Sequence, residues 1–398
     1  MTNPPEVFVY SVGRTPFGKF QGSLAGYSPA ALGAIALDEL LVRSKLPADA
    51  VSQVVIGIAM LGGSAITAAR QMVLRSKLPQ STPSLGVDRA CCSGMSAVAF
   101  AASQIGAGAA DLVIAGGVEV LSRTPRLLDR NPASSGDLVA EDPLLLAAPV
   151  GGSIAKYTSE EALRAGIDRQ AQDAWALESH CRYFRAEQKG FFDLERFPVA
   201  VRRPGEGPSQ DVLSQDESPR RDSSIDVLAR LPAVRGSMTI TAGNAPGLND
   251  GAAFVLLGNA HAGRVHGLKP LAHLSGSVAV AEGPTSGTRT PAIAIRRLLQ
   301  RDGIRIEDLA ALEINEAFAA TVLVSTLVLA DFDAKNAERL REKTNPHGGA
   351  VAIGHPMGAS GARILMTAIA ELRRRGGGTG VAAICGGFGQ GEAVLIRV

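Results

Sequence analysis

Aromatic residues are scarce in this chain, at 4%, with a single tryptophan. Helices and strands must therefore pack through small aliphatic side chains, so close element-to-element contact is expected. Cysteine is also sparse: Cys91, Cys92, Cys181 and Cys385 are the only four. They form no CxxC pair, which excludes a thiolate zinc site and a disulfide framework and fits a reducing, cytoplasmic setting. There is no excess of one charge, the formal net charge being +2. Nucleic acid is accordingly excluded as a partner. No apolar run reaches the roughly 18 residues of a membrane span, and Ala319 to Ala330 is interrupted by Thr321 and Ser325. The opening residues lack a basic region followed by an apolar core, so no secretory signal is visible. The basic run Arg373-Arg374-Arg375 reads as the solvated last turn of a helix.

Glycine, by contrast, is plentiful, at 45 residues, and clusters beside apolar runs at Gly116-Gly117, Gly348-Gly349 and Gly386-Gly387. Short apolar runs alternate with segments of helical period. Strands are expected at Val7 to Tyr10, Val51 to Ile58 and Asp111 to Ala115, the last ended by Gly116-Gly117. Helices are expected at Pro29 to Arg43 and Ser96 to Ile105. This alternation predicts an α/β architecture with a mostly parallel sheet. The order then repeats. Strands are expected at Pro270 to Ser275, Leu309 to Ile314 and Gly380 to Ile384, with helices at Pro291 to Gln300 and Gly361 to Arg375. Ser93-Gly94, a helix, and a strand leading to Gly116-Gly117 parallel Ser360-Gly361, a helix, and a strand leading to Gly386-Gly387. The chain thus divides into halves at 1–260 and 265–398. Residues 121–236 differ in character, with polar turn-rich stretches such as 131–136 and one long helix at about Asp168 to Lys189. They read as an insertion lying over the core and shaping a substrate site.

Four segments carry chemistry. Cys91 precedes a helix, where unpaired N–H groups and the macrodipole favour thiolate. His355 sits on a glycine-studded turn that opens a helix and can exchange a proton near neutrality. Asn315 follows a strand and can hold a water or an oxyanion. Cys385-Gly386-Gly387 follows another strand, leaving backbone N–H groups free to face developing negative charge. Taken alone, Cys91 would more often be a buried, inert cysteine.

In order, Cys91-Cys92-Ser93-Gly94, Asn315-Glu316-Ala317-Phe318, Gly354-His355-Pro356-Met357-Gly358-Ala359-Ser360-Gly361 and Cys385-Gly386-Gly387 resemble the signature blocks of the thiolase family. Gly13-Arg14-Thr15-Pro16-Phe17-Gly18 and Gly247-Leu248-Asn249-Asp250-Gly251-Ala252-Ala253 resemble further blocks. The resemblance implies a duplicated thiolase fold, two mixed sheets in a layered αβαβα arrangement with a loop-domain insertion. It implies an acyltransferase joining or splitting acyl thioesters: acyl-CoA plus acetyl-CoA to 3-ketoacyl-CoA plus CoA, or the reverse. Cys91 would take the acyl group, His355 would activate it, and Cys385 would move the α-carbon proton. One oxyanion hole would be His355 with a water on Asn315; the other would be the N–H groups of Cys91 and Gly387. Arg220, Ala245, Gly247 and Phe318 would contact coenzyme A. The resemblance further implies CoA thioesters as substrates, no permanently bound cofactor and no metal, and a homodimer or homotetramer.

Several positions depart from the family pattern. Pro246 stands where a serine meeting the pantetheine arm is expected, Asp88 replaces an Asn, and Cys92 takes a Gly or Ser position and reads as packing. Cys181 reads as structural and His347 as a solvated or packing histidine. Glu316 either orients the Asn315 loop or forms a salt bridge. The departures keep open a condensing enzyme using another acyl carrier, or a weakly catalytic subunit working with a partner protein. A cysteine hydrolase would leave Cys385 unexplained.

Overall fold

The computed structural model describes residues 5–60, 66–125, 152–205, 209–234 and 236–398. The turn-rich stretch 131–136 lies outside them. The first half contains β1 (Val7–Arg14), β2 (Gly18–Lys19), α1 (Pro29–Ser44), β3 (Gln53–Gly57), α2 (Ala68–Arg75), β4 (Ser84–Val87), α3 (Ser93–Gly106) and β5 (Leu112–Val120). The intervening segment adds α4 (Ile154–Arg164), α5 (Arg169–Glu187), β6 (Val199–Ala200), β7 (Val212–Leu213) and α6 (Ile225–Ala229). The chain then returns through β8 (Asn249–Asn259) and α7 (Ala260–Val265). The second half comprises β9 (Ala272–Ala281), α8 (Thr290–Asp302), β10 (Ala311–Ile314), α9 (Ala319–Leu329), α10 (Ala334–Lys343), α11 (Ala350–Ile353), α12 (Met357–Arg375), β11 (Thr379–Gly386) and β12 (Gln390–Arg397).

Local chemistry sets the element ends. Helix α1 starts where the Ser28 side chain accepts from the Ala31 N–H at 3.2 Å and Pro29 supplies a helix-ready φ; it stops at Lys45 in the left-handed region. Asp168 caps α5 through the Ala171 N–H at 2.8 Å.

The strands run β10-β11-β12-β9-β1-β8-β5-β3-β4. In the second half β10 and β11 are parallel, while β11–β12 and β12–β9 are antiparallel. The first half repeats this: β3 and β5 are parallel, β5–β8 and β8–β1 antiparallel. The two expected sheets meet along only two residue pairs, Phe8↔His273 and Val9↔Ala272, so they form one continuous ladder. They still face each other, because α3 touches β3, β5 and β8 on one side and β9 and β12 on the other, and α12 likewise touches strands of both halves.

Side-chain alternation along the strands explains the layers. Val54 and Ile56 point to an outer cluster with Leu32, Leu37 and Met72, whereas Val55 joins Val98 and Ile364 in the middle. In β11, Ala382 and Ile384 enter that middle cluster; Val381 and Ala383 join Ile295, Leu298 and Val322 on the far side. The result is the layered αβαβα order, with apolar strands buried on both faces.

Two expectations change. The sheet is not mostly parallel: among the described strands only β10–β11, β3–β4 and β3–β5 pair in parallel, because β1, β8, β9 and β12 enter the sheet antiparallel to their neighbours. Gly116-Gly117 does not end its strand: β5 continues to Val120, with Gly116 paired to Phe254 and Gly117 to Ala253. The glycines are there for space. A Cβ on Gly116 would lie 2.1 Å from the Ala253 carbonyl oxygen, and one on Gly117 2.0 Å from that of Gly358. Close approach lets α12 settle on the sheet, which places the turn before α12 over β5.

The intervening segment is anchored by buried charge. Arg14 of β1 donates to Glu195 and Asp216, each at 2.7 Å, and all three are buried. Asp216 also accepts from the Phe17 N–H at 2.7 Å.

Candidate active site

A cavity of about 390 Å³ opens between the halves, lined by Cys91, His355 and Cys385. These residues stand 264 or more positions apart in pairs with Cys91, at the start of α3, before α12 and in β11. Gly386 and Gly387 line it as well, as do Ala245, Gly247, Pro246 and Phe318. Leu121, Ile154, Ala155, Tyr157, Thr158 and Val234 contribute from the intervening segment.

Cys91 is held by a constrained turn. Ala90 has φ +48°, in the left-handed region that a non-glycine residue rarely adopts. The Asp88 carboxylate accepts from the Ala90 N–H at 3.0 Å, and Ser93 Oγ accepts from the Arg89 N–H at 2.9 Å while donating to the Ala90 carbonyl at 2.6 Å. Asp88 thereby performs a turn function that an asparagine oxygen could also perform. Behind the turn, Cys92 is fully buried and packs under Gly386, where a Cβ would come 3.0 Å from its sulfur.

The expected thiolate-favouring effect of the helix start is outweighed. Burial, then the neighbouring Cys385 and Glu119, push the Cys91 thiol well above its usual range. Its own N–H opposes this only weakly. Removing water costs the charged form more than one half-formed helix end returns. Cys91 rests as a thiol.

His355 lines the same cavity. Burial, then Arg363, lower its pKa to about 3, so the ring is neutral at physiological pH. Its Nδ1 lies 2.7 Å from Ser360 Oγ, and Ser360 donates to the Pro356 carbonyl at 3.1 Å. With the hydroxyl proton spent on Pro356, Ser360 accepts the Nδ1–H, which leaves a lone pair on Nε2. Nε2 is buried and has no partner among the described residues. The His355 N–H donates to Asn249 Oδ1 at 2.9 Å. Gly354 has φ +114°, and a Cβ there would lie 2.6 Å from the Asn249 carboxamide, so only glycine brings the histidine onto Asn249. Asn249 Nδ2 donates in turn to the Gly18 carbonyl at 2.9 Å and Ser218 Oγ at 2.8 Å.

Burial pushes the Cys385 thiol up to about 12, opposed by its own N–H and by a hydrogen bond with the Thr321 side chain, while Glu161 adds to the rise. Thr321 also lines the cavity.

Other expected residues fall elsewhere. Asn315 is fully buried and not among the residues lining the cavity; its Oδ1 lies 3.4 Å from Arg363 Nη2, and its Nδ2 has no partner among the described residues. Arg220 is exposed, outside the cavity lining, with its N–H donating to His180 Nδ1 at 3.2 Å. Among the described residues Glu316 forms no ion pair: its carboxylate accepts from Trp175, Ser179, Asn345 and the Val351 N–H at 2.8–3.1 Å. It therefore orients the loop. His347 packs as expected, stacked on Phe191 and bonded to Glu371 at 2.8 Å. Cys181 is exposed, which corrects its reading as structural: its position on α5 turns away from the core. Arg374 and Arg375 are not simply solvated, since both pair with the buried Glu371. Asn249, Ser360 and Thr321 carried no assignment from the sequence. The signal available for the first two was their place inside motif blocks; Thr321 gave none.

A twice-repeated α/β unit with two thiols and an imidazole on one apolar cavity defines a cysteine-bearing enzyme of the acyl-transfer type. The chain belongs to the thiolase family: residues 7–261 match the model for the thiolase N-terminal domain and residues 268–398 that for the thiolase C-terminal domain. It is an acyltransferase of thiolase type. It is 37% identical over 406 aligned residues to a beta-ketoadipyl-CoA thiolase of Pseudomonas aeruginosa, covering 98% of this chain and 99% of that one. It is 38% identical over 400 residues to an acetyl-CoA acetyltransferase of Chromobacterium violaceum, covering 98% and 99%. Among solved structures, the Bacillus anthracis acetyl-CoA acetyltransferase superposes with a TM-score of 0.91 at 34% identity, and human mitochondrial 3-ketoacyl-CoA thiolase with 0.89 at 32%, each over 100% of both chains.

Proposed function

We propose that the protein joins acyl-CoA to acetyl-CoA, or cleaves 3-ketoacyl-CoA with CoA, through an acyl group carried on Cys91. The observation that carries this reading is the convergence of Cys91, Cys385 and His355 on one cavity. In the first half-reaction His355 Nε2 takes the Cys91 proton, the sulfur attacks the thioester carbonyl, and the C–S bond to CoA breaks. The proton returns to the departing CoA sulfur. In the second, His355, neutral again, takes the Cys385 proton, and the Cys385 thiolate removes an α-proton from the second thioester. The resulting carbanion attacks the acyl-cysteine and expels the Cys91 sulfur, which takes the proton held by His355, so both thiols and the neutral imidazole are restored. Run backwards, a Cys385 thiol whose pKa is near 12 is held protonated, ready to protonate the departing enolate.

The carbonyl oxygens need donors at both stages. We assign the N–H groups of Cys91 and Gly387 to one hole and His355, with a water on the unpartnered Asn315 Nδ2, to the other. The buried but unpaired state of that amide supports a water there. Ala245, Gly247 and Phe318, on the cavity wall, would flank the pantetheine arm, and exposed Arg220 would meet a phosphate outside. The two units would span 1–260, carrying the 121–236 insertion, and 265–398. The thiols and imidazole supply the chemistry, with CoA thioesters as substrates rather than a resident cofactor. Free thiols suit a reducing cytoplasm, and a homodimer or homotetramer is the expected assembly. Among the described residues no helix is long and apolar enough to cross a membrane.

The test is mass analysis of the protein after acetyl-CoA treatment, with peptide mapping. An acetyl adduct on Cys91, together with CoA-dependent cleavage of acetoacetyl-CoA, supports the reading. Absence of any adduct refutes it.

A further inference from the structure

The relatives' names include a thioester whose chain ends in a carboxylate, but the wall of this cavity is built for something else. None of the described lining residues is Lys, Arg, Asp or Glu. Apart from the residues assigned to the pantetheine arm, the wall is made of side chains such as Ile154, Val234, Ile240, Leu248 and Met357, interleaved with threonines. The carboxyl groups beside the wall offer nothing to an anion: Glu161 accepts from the N–H of the lining residue Thr288 at 2.9 Å, and Glu119 from that of Gly358, next to the lining residue Met357, at 3.0 Å. Two nearby cations lie outside the described lining: Arg363 is fully buried, facing Glu313 at 3.8 Å, with its Nε and Nη1 lacking a hydrogen-bond partner among the described residues, and Arg289, beside the lining residue Thr288, is shared between Glu161 and Glu282 at 3.7 and 3.5 Å.

We infer that this cavity selects acyl thioesters whose chain ends in an uncharged, apolar group and rejects those ending in a carboxylate. The inference rests on the reading of Cys91 as the acylated residue. A carboxylate drawn into such a wall would lose water and gain no cationic partner among the described residues, which is among the more costly events in a protein interior. An apolar chain of the same length would instead gain contact with the aliphatic wall.

The half-reaction at Cys91 reads this directly. Butanoyl-CoA and succinyl-CoA present four-carbon chains that differ only in ending in a methyl or a carboxylate. Each exchanges its acyl group for the Cys91 proton and releases CoA. With the wild-type protein and equal thioester concentrations, quenched-flow intact mass and peptide mapping should show butanoylation at least about 100-fold faster than succinylation, a factor set by one unpaired charge. Succinylation at a comparable or greater rate overturns the inference while leaving the acyl-cysteine intact. Acetylation without butanoylation also overturns it, since the cavity would then be closed to chains. No adduct from acetyl-, butanoyl- or succinyl-CoA refutes the underlying assignment of Cys91, and the inference with it.

Discussion

Ser360→Ala isolates how the fold chooses the working face of the imidazole. In the resting protein, Ser360 Oγ accepts from His355 Nδ1 at 2.7 Å while its own proton goes to Pro356. That bond contributes about 1 kcal/mol between neutral groups and about 1.5–3 kcal/mol once the ring is cationic. The ring becomes cationic only as it takes the Cys91 proton. Alanine would therefore weaken the transition state more than the ground state, by about 0.5–2 kcal/mol. At about 1.4 kcal/mol per factor of ten, Cys91 acetylation should slow by about 2–30-fold, with half-saturation by acetyl-CoA nearly unchanged. The assay is single-turnover acetylation followed by quenched intact mass. Acetylation at the wild-type rate would refute the assignment of Nε2 as the base. A large rise in half-saturation at an unchanged limiting rate would place Ser360 in binding instead.

Other outcomes follow from the same geometry. Cys385→Ala should retain acetylation of Cys91 but lose condensation and thiolysis by at least about 1,000-fold; loss of acetylation itself would contradict the division of labour. Because His355 is depressed to about 3, its basic form persists as pH falls through the ordinary imidazole range, and the acylation rate should show no inflection at pH 6–7 from this residue. An acid limb there that disappears in a His355 variant would show the ring titrating normally. Gly354→Ala forces a Cβ against the Asn249 carboxamide at a φ of +114°, and should lower unfolding stability by about 1–3 kcal/mol and displace His355, read by urea unfolding and acetylation together. Arg14→Met strands Glu195 and Asp216 as unpaired buried carboxylates, and should cost about 3–5 kcal/mol by the same unfolding measurement; a change below 1 kcal/mol would mean that neighbouring Arg196 suffices.

Much of the architecture was readable before any coordinates, because periodicity and turn chemistry are local. Strands such as Val7 to Tyr10 and helices such as Pro29 to Arg43 reappear within a few residues of their expected ends, since apolar spacing and the Ser28-Pro29 start act over one or two turns. The glycine pairs misled where glycine means space rather than an ending: nothing local at Gly116-Gly117 reveals that Ala253 and Gly358 press against them.

The sequence by itself determined the identity and order of the reactive groups, and the repeated pattern that carries them. Only the tertiary structure decided their states. The start of α3 argued for a thiolate at Cys91, yet burial in a water-poor cavity beside Cys385 and Glu119 raises the thiol instead. His355 reads as an ordinary switch near neutrality, but burial and Arg363 hold it neutral, and Ser360 selects its tautomer. Desolvation and long-range charge depend on what folds over a residue from hundreds of positions away, and no local pattern encodes that.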